Sequence, residues 1–441
     1  MGRDPAEQHL EPAFLEHLRR APRHLRPRRL GPQGMASLPI PDELLDEIFV
    51  RLPTPSDLVR ASAACVAFRR VVADSSFLRQ YRKLHHPPLL GFLRTSTGFL
   101  PAKRPHPSAS VASAISLAAD FSFSFVPSPT TSRRWVIRDI RDGRVLLAPM
   151  GSFCGEKEMV VCDPLHRRYL LLPPIPHHLA AMLTKPRCNE TFLISQGDGH
   201  DYQAAAAEET SFRVMCMVQC QAQLISFVFS SSTRLWRTVA PHSWSDLLAG
   251  MLSSIGERLF CQRQYAYGCF YWFSDWECEM KMLVFDTQRM EFSIADPPSE
   301  AKDASSLHIT MVEAGEGRPG MFVHGYKTPG CIYTLGRNNG GSSSQWQKEK
   351  IISPLLGSRY VVGCSMGMYL VMDHHGTSSL EQGLYTLDIE TLLLKRVCAS
   401  TTVLGFPYSN YPPSLSTPTI SSAILLTSSC VSSFSDLPGV T

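Results

Sequence analysis

The chain contains two regions whose apolar residues follow different periods. Between residues 37 and 86 the apolar side chains recur every three or four positions, which predicts helices. From Trp135 to about Ser400, short apolar runs alternate with Gly, Pro, Asp, Ser and Asn, which predicts strands joined by turns. The pattern therefore predicts a multidomain chain, with a small helical domain followed by an all-β domain.

Helix starts can be located within the first region. Pro41, followed by two acidic residues, suits the first turn of a helix, where proline fits and negative charge is favourable. Thr54 can cap a second helix, with Pro55 at its first position and Asp57 completing a capping box. A third helix is expected from Val66 onward, and "DSSFLRQYRKLHH" predicts a further short one.

This helical region is unusually apolar for its length. A domain of about fifty residues is marginal unless something shares its core, and short helices gain most of their stability from packing. The apolar side chains either form a miniature three-helix core or leave one face for a partner. The pattern alone leaves these two interpretations open.

Residues 37–80 resemble the F-box, a motif that reads roughly L-P-x-D-L-L-x-E-I-L-x-R-L-P, then a leucine-rich helix, V-C-K-x-W-R and D-P-x-F. The matching stretch is "LPIPDELLDEIFVRLPTPSDLVRASAACVAFRR", with Phe77 following. Two positions depart from the motif: Phe68 stands where tryptophan is usual, and Ala67 where lysine is common. The resemblance implies that this surface docks on a Skp-type adaptor of a cullin–RING ubiquitin ligase. The residues it assigns to that contact are Leu38, Pro39, Leu44, Leu45, Ile48, Leu52, Pro53, Leu58, Val59, Cys65 and Phe68.

The second region repeats a unit of two strands and a turn. A strand, a turn that opens with Asp or a small residue, and a second strand with an apolar entry occur five times, at intervals of about fifty residues. The copies begin at Met159, Ile225, Met282, Cys331 and Gly383. Each is preceded by another apolar run that can supply inner strands, so the unit predicts four-stranded blades of a β-propeller with a kelch-like period.

The number of blades and their closure are less directly encoded. Five copies are visible, and a sixth blade is expected from "FSFSFV", "WVIRDIRDGRVLLA" and the segment near Val403–Phe406. The prediction is therefore a propeller of about six blades, with an irregular sandwich as the alternative. Most of residues 89–416 also resembles the F-box-associated propeller-like region of plant, particularly grass, F-box proteins, through "WVIRDIRDGRVLLAP", "VCDPLHRRYLLLPPIP" and "FPYSNYPPSLSTP".

Charge and cysteine content exclude several classes of protein. The chain of 441 residues has 43 basic and 39 acidic residues, a balance that does not favour nucleic acid binding. No apolar run reaches transmembrane length, so no membrane partner is expected. The 13 cysteines are scattered without metal-ligand spacing, which indicates reduced thiols in the cytoplasm and/or nucleus. Residues 1–36 are basic and proline-punctuated, and Met35 is an alternative start.

The features that could carry chemistry are three histidine pairs, two glycine-rich turns and one aromatic run. The pairs beginning at His85, His177 and His374 are expected to be exposed loop residues, since adjacent histidines on a strand point to opposite faces. "GEGRPG" and "GRNNGG" lack the pattern of a phosphate loop. "FYWFSDWEC" is interpreted as a packed strand pair, with Tyr271, Trp272 and Trp276 as candidate substrate-proximal residues. No catalytic residue, cofactor or metal is assigned.

The two resemblances together imply a non-catalytic adaptor, with the F-box bound to a Skp-type adaptor and thereby a cullin, and the propeller bound to an unknown target. Two alternatives remain: an F-box protein that acts outside a ligase, and an enzyme built on the propeller. The expected organisation is a basic extension (1–36), an F-box domain (37–84), a Pro/Ser-rich linker joining the first propeller strands (85–133), the propeller (134–416) and a flexible tail (417–441).

Overall fold

The computed structural model describes thirteen segments of the chain. These are residues 40–129, 134–151, 158–194, 210–248, 263–276, 279–301, 309–315, 317–324, 330–335, 346–352, 360–374, 382–399 and 405–421. At positions 75, 83, 274–276, 279 and 360–365 it describes the backbone alone.

Four helices form the N-terminal domain, as the helical period predicts. They are α1 (Asp42–Phe49), α2 (Pro55–Ala64), α3 (Val66–Val72) and α4 (Ser75–Leu84). The predicted cap of α2 is confirmed, since the Thr54 hydroxyl oxygen accepts from the Asp57 amide at 3.2 Å and donates to the Asp57 carboxylate at 2.6 Å. Asp74 caps α4 by accepting from the amides of Ser76 and Phe77. Three further helices, α5 (Ala109–Ala118), α6 (His177–Ala180) and α7 (Trp244–Leu247), lie among the strands.

Six antiparallel sheets follow, and each is one blade of a propeller. Blade 1 consists of β1 (Leu89–Arg94), β2 (Gly98–Pro101) and the C-terminal β23 (Phe406–Ser409). Blade 2 consists of β3 (Trp135–Arg141), β4 (Arg144–Pro149), β5 (Met159–Asp163) and β6 (Arg168–Leu172). Blade 3 consists of β7 (Pro186–Ile194), β8 (Arg213–Cys220), β9 (Gln223–Ser230) and β10 (Leu235–Ser243).

The remaining three blades have the same strand order. Blade 4 consists of β11 (Gln264–Ala266), β12 (Cys269–Trp276), β13 (Glu279–Asp286) and β14 (Glu291–Ala295). Blade 5 consists of β15 (Ile309–Glu313), β16 (Pro319–Val323), β17 (Gly330–Leu335) and β18 (Trp346–Ile352). Blade 6 consists of β19 (Tyr360–Met366), β20 (Tyr369–His374), β21 (Gly383–Asp388) and β22 (Leu394–Cys398).

The ring is closed by pairing the two ends of the propeller chain. The first strands of blades 2 and 3, of blades 4 and 5, and of blades 5 and 6 contact one another, and β23 contacts β3, so β23 is the inner strand of blade 1. β23 pairs with β1 in the registers Leu93–Phe406 and Phe92–Pro407. Gly91 lies at the bulge in this sheet, where its φ of 151° and the carbonyl of Leu100, 2.1 Å from where a Cβ would be, require glycine.

The five sequence copies are the outer hairpins, that is, the third and fourth strands, of blades 2 to 6. Three of their turns open with an aspartate that accepts from the amides two and three residues later: Asp163, Asp286 and Asp388. The residue four positions after each aspartate has a positive φ, as in Arg167 (53°), Met290 (57°) and Leu392 (58°). The predicted Asp-opened turn is therefore the recurring structural unit.

A separate apolar core fills each of the six gaps between neighbouring blades. For example, Val161 of blade 2 packs with Phe227 of blade 3, and Met282 of blade 4 packs with Met321 of blade 5. The gap between blades 6 and 1 also takes up α5, through Ala112 and Ile115. Because each sheet is buried on both faces, the strands read as continuous apolar runs.

The first blade differs from the sequence prediction. The prediction for the sixth blade is correct about Phe406 but wrong about its other members, because "WVIRDIRDGRVLLA" forms β3 and β4 of blade 2. "FSFSFV" is not a strand and contributes Val126 to the core between blades 1 and 2. Residues 85–133, expected to be a linker joining the first strands, carry β1, β2 and α5, so propeller structure begins at Leu89.

The cysteines and histidines depart from expectation at individual positions. Seven described cysteines form no disulfide, namely Cys65, Cys162, Cys188, Cys220, Cys269, Cys331 and Cys398. Cys216 is instead disulfide-bonded. His177 and His178 are exposed as expected. The expectation is wrong for His374, which is buried in β20, and His85 is half-buried, while His375 lies outside the described residues.

Candidate functional site: the helical N-terminal surface

Helix α1 divides its apolar side chains between two faces. Leu45 and Phe49 are buried, with exposures of 2% and 5%, and they belong to the core of the helical domain. Leu44 and Ile48 lie one helical turn apart and are 49% and 51% exposed. A helix that is apolar on both faces inside a small domain presents more apolar surface than its own core uses.

The second helix contributes mainly to the core. Leu58 is fully buried, whereas Leu52 and Val59 are half-buried at the edge of the same cluster. Pro53 is exposed in the turn between α1 and α2. Thr54 caps α2 directly after this turn, and an ion pair of 2.6 Å joins Arg60 and Asp57 within α2.

The position where tryptophan is usual is filled by a partly buried phenylalanine. The ring of Phe68 meets that of Phe49 edge-on, with centroids 5.0 Å apart and an interplanar angle of 79°. Cys65 is half-buried, and its sulfur accepts from the Phe68 amide at 3.4 Å, which caps α3. Phe68 and Cys65 therefore support the helical core.

The residues assigned from the motif thus fall into three groups. Leu45 and Leu58 are buried, and Leu44, Ile48 and Pro53 are exposed. The half-buried members are Leu52, Val59, Cys65 and Phe68. Leu38 and Pro39 lie outside the described residues.

Three exposed apolar residues of the helical domain were missed by the motif comparison, and one of them, Leu84 at the end of α4, is 62% exposed. Val66, at the start of α3, is 69% exposed, and Ile40, just before α1, is 40% exposed. Val66 could have been identified because it directly follows the Cys65 cap, at a position that the apolar spacing of the helix does not place on the core face. We call the exposed residues Ile40, Leu44, Ile48, Pro53 and Val66 the apolar helical surface.

The helical domain shares its core with the C-terminal end of the propeller chain. We call residues 410–420 the strap. Tyr411 and Leu415 of the strap are buried in the same cluster as Leu45 and Phe49. Arg82 of α4 donates to the Leu415 carbonyl at 2.6 Å and to the Thr417 hydroxyl at 3.1 Å.

The other end of the strap is fixed to blade 2. The Asp163 carboxylate accepts from the Thr419 amide at 2.9 Å and from its hydroxyl at 2.8 Å. Arg144 donates to the Thr419 carbonyl at 3.0 Å, and Ile420 is buried against blades 2 and 3. Burial alone raises the pKa of Asp163, but hydrogen bonds from His166 and Thr419 outweigh burial and hold that pKa below its usual value. The helical domain and the propeller are therefore joined by one continuous hydrogen-bonded segment.

The aromatic run of blade 4 is mainly core. Trp272 is fully buried between blades 3 and 4, so the structure contradicts its assignment as a substrate-proximal residue. Tyr271 is 7% exposed and lines a cavity between blades 4 and 5. Trp276 ends β12, and its side chain lies outside the described part of the chain.

A cluster of buried charges joins the inner ends of blades 2, 3 and 4. Arg263 forms ion pairs of 2.7 Å with Asp139 and 2.7 Å with Glu190. The other oxygen of Glu190 accepts from the Trp272 indole at 2.5 Å, and that of Asp139 from the Leu193 amide at 2.7 Å. Burial raises the pKa of Glu190, while Arg263 opposes that shift. Because each carboxylate oxygen is bonded to a protein group, this cluster serves to hold the blades together.

The described residues offer neither a membrane-spanning helix nor a metal site. In the described segments no helix is long and apolar enough to cross a membrane. The same segments contain no group of three or more His, Cys, Asp or Glu side chains arranged to hold a metal ion.

Comparison with known proteins supports one part of the chain by sequence. Residues 39–83 match the model of the F-box-like family. No curated protein matches the chain.

Solved structures resemble the chain only distantly. The β-propeller domain of the Trilobed protease from Pyrococcus furiosus has 10% identity and a TM-score of 0.30 over 59% of this chain and 70% of that one. TolB from Acinetobacter baumannii has 11% identity and a TM-score of 0.33 over 71% of this chain and 63% of that one. Pyrococcus horikoshii acylaminoacyl peptidase has 10% identity and a TM-score of 0.31 over 58% of this chain and 38% of that one. The propeller assignment therefore rests on the six sheets of the chain itself.

The match at residues 39–83 coincides with helices α1 to α4, and the six sheets follow directly. The chain thus contains an F-box-like domain followed by a six-blade β-propeller.

Proposed function

We propose that the chain is a substrate-recognition subunit of a Skp–cullin–F-box ubiquitin ligase. In this proposal the apolar helical surface binds a Skp-type adaptor, the adaptor binds a cullin, and the propeller binds the protein to be modified. The chain itself performs no chemistry. The ligase gains rate because the bound target holds a lysine close to the charged conjugating enzyme.

The observation that carries the proposal is the exposure of Leu44 and Ile48 on the outer face of α1, within the F-box-like match. Burial of a leucine or isoleucine side chain contributes about 1.5–3 kcal/mol. Each of these two side chains is about half exposed and can gain roughly half of that contribution from a partner. Val66 and Pro53 are exposed in the same domain, so its exposed apolar side chains have the composition of an interface core.

The strap supports the proposal because a ligase adaptor must hold target and conjugating enzyme at a fixed separation. A flexible connection would lower the effective concentration of the target lysine. Here the helical domain is bonded to the strap through Arg82, and the strap is bonded to blade 2 through Asp163. The two halves of the proposed adaptor are thus held in one orientation.

Finer assignments belong to the same proposal. We assign the propeller to the kelch-like, F-box-associated type of plant F-box proteins, and place the protein in the cytoplasm and/or nucleus. The partly buried Phe68, in place of tryptophan, bears on the strength of adaptor binding and leaves the helical core intact.

Co-expression of the full chain with a Skp-type adaptor and a cullin tests the proposal. We expect the three proteins to copurify, and we expect the complex to be lost in a Leu44→Asp/Ile48→Asp variant. Absence of any association between the wild-type chain and the adaptor would overturn it.

A further inference from the structure

A cavity of about 600 Å³ lies between the outer parts of blades 4 and 5. It is lined by Tyr271 of β12, by Pro297 and Pro298 after β14, and by Trp346 of β18. Cavities of roughly 300–1,000 Å³ hold a ligand the size of a few side chains. The function proposed above leaves this cavity without a role.

The aromatic walls of the cavity are held in place by the fold. Tyr271 is buried in the core shared by blades 4 and 5, and only 7% of it is exposed. The indole nitrogen of Trp346 donates to the Asp296 carbonyl at 2.8 Å, so a side chain of blade 5 is bonded to the segment that leaves blade 4. A ligand therefore meets rings that are already ordered, which reduces the entropy lost on binding.

The two carboxylates at the rim of the cavity differ in whether they form an ion pair. Asp296 is ion-paired with Lys281 at 2.6 Å. Glu300 also lines the cavity; among the described residues no lysine or arginine lies within ion-pair distance of its carboxylate, and Lys348 acts on it from farther away. Its carboxylate accepts from the Ser299 hydroxyl at 2.9 Å, and hydrogen bonds from its own amide and from Ser299 lower its pKa. Glu300 therefore presents a negative charge at neutral pH, beside an aromatic and proline-lined wall.

We propose that this cavity binds a short peptide segment of a target protein, in which an apolar residue, such as proline or leucine, lies next to a basic residue. Aromatic-lined grooves are the recurring sites for proline-containing segments, because the extended backbone stacks on the rings. The basic side chain pairs with Glu300, the rim carboxylate that is not already bound to a cation. This inference rests on the proposed function, since it places target recognition in one gap of the propeller.

An array of immobilised hexapeptides tests the proposal with the full-length chain. Two central positions are varied: the first among Pro, Leu, Gly and Ser, and the second among Arg, Lys, Glu and citrulline, the neutral analogue of arginine. Binding of the labelled chain is compared for the wild type, Glu300→Gln and Ser293→Trp, which fills the cavity from the edge strand β14. Glu291→Gln, an exposed glutamate on β14 that does not line the cavity, is the matched control.

We expect the wild type to bind peptides that combine Pro or Leu with Arg or Lys. Glu300→Gln weakens that binding about tenfold and no longer distinguishes arginine from citrulline, because a charge-assisted bond is lost. Ser293→Trp abolishes binding, and Glu291→Gln leaves it unchanged.

The proposal is overturned if the wild type shows no preference on the array, or if its preference survives both cavity variants. The proposal is also overturned if the cavity binds small apolar molecules but none of the peptides. Capture of a Skp-type adaptor by the same samples separates this failure from failure of the proposed function, because the cavity variants leave the apolar helical surface intact.

Discussion

The guanidinium of Arg82 donates a hydrogen bond of 2.6 Å to the backbone carbonyl of Leu415. The two residues belong to opposite ends of the folded chain, one in α4 and one in the strap. The same guanidinium lies over the ring of Tyr411, 5.7 Å from its centroid. Arg82 thus connects the F-box-like domain to the segment that closes the propeller.

Replacing Arg82 with methionine tests this connection. Removal of a charged donor from partly buried carbonyl partners is expected to lower the free energy of unfolding by about 1–3 kcal/mol. In Arg82→Met the helical domain is also expected to unfold before the propeller, because a small helical domain is marginal without its shared core. Calorimetry is expected to show one transition in the wild type and two in Arg82→Met. Arg51→Met, at an exposed arginine, is the control, and a single unshifted transition in Arg82→Met would contradict the connection.

The charge cluster at the inner ring predicts a pH-dependent defect. Arg263→Met leaves Asp139 and Glu190 buried without their cation, which is expected to destabilise the fold by about 3–5 kcal/mol. Burial already raises the pKa of Glu190, and loss of Arg263 raises it further. A carboxyl group whose pKa is raised in the folded state makes the fold less stable as pH rises. The loss of stability in Arg263→Met is therefore larger at pH 8 than at pH 5.

Urea unfolding at the two pH values measures this difference. Arg237→Met, at an exposed arginine of β10, is the matched control and is expected to behave as the wild type. If Arg263→Met loses the same free energy of unfolding at both pH values, the two carboxylates are compensated by other groups, which would contradict the prediction.

A buried histidine predicts loss of stability in mild acid. His106 is 8% exposed, its Nδ1 accepts from the Ser108 amide at 3.2 Å, and burial, aided by Lys395, lowers its pKa to about 4. The unfolded chain takes up a proton near the usual pKa of 6.5, whereas the folded chain resists it. The stabilising contribution is therefore present above pH 6.5 and is lost as pH falls toward 4.

The slope of the unfolding free energy between pH 6.5 and pH 4 tests this assignment. His106→Gln, which retains an acceptor, is expected to flatten the slope in that interval. His178→Gln, at an exposed histidine, should leave it unchanged, and an unaltered slope in His106→Gln would contradict the role of burial.

Local patterns allowed much of the fold to be predicted from the sequence. The Thr54 cap and the Asp-opened turns, such as that at Asp286, depend on residues within three positions of one another, and all are present in the structure. The five outer hairpins follow from the same short-range signal. The exposed pair Leu44 and Ile48 could be assigned only through the resemblance, because their spacing alone fits a buried face equally well.

Long-range pairings could not be predicted in this way. Leu93 pairs with Phe406 across almost the whole propeller, and no local period marks such a partner. The strap contacts of Tyr411 and the cluster around Arg263 are equally distant in sequence. Trp272 was misassigned because an aromatic strand residue has the same local pattern whether it faces a core or a ligand.

The affinity of the full chain for a purified Skp-type adaptor, measured by titration calorimetry, tests the central claim most directly. The wild type is expected to bind, and Leu44→Asp/Ile48→Asp is expected to weaken binding by at least about 30-fold, because two apolar contacts are replaced by charges. Leu117→Asp, at an exposed leucine of α5, should bind as the wild type does. An adaptor that does not bind the wild type, or that binds the double variant with unchanged affinity, would contradict the account.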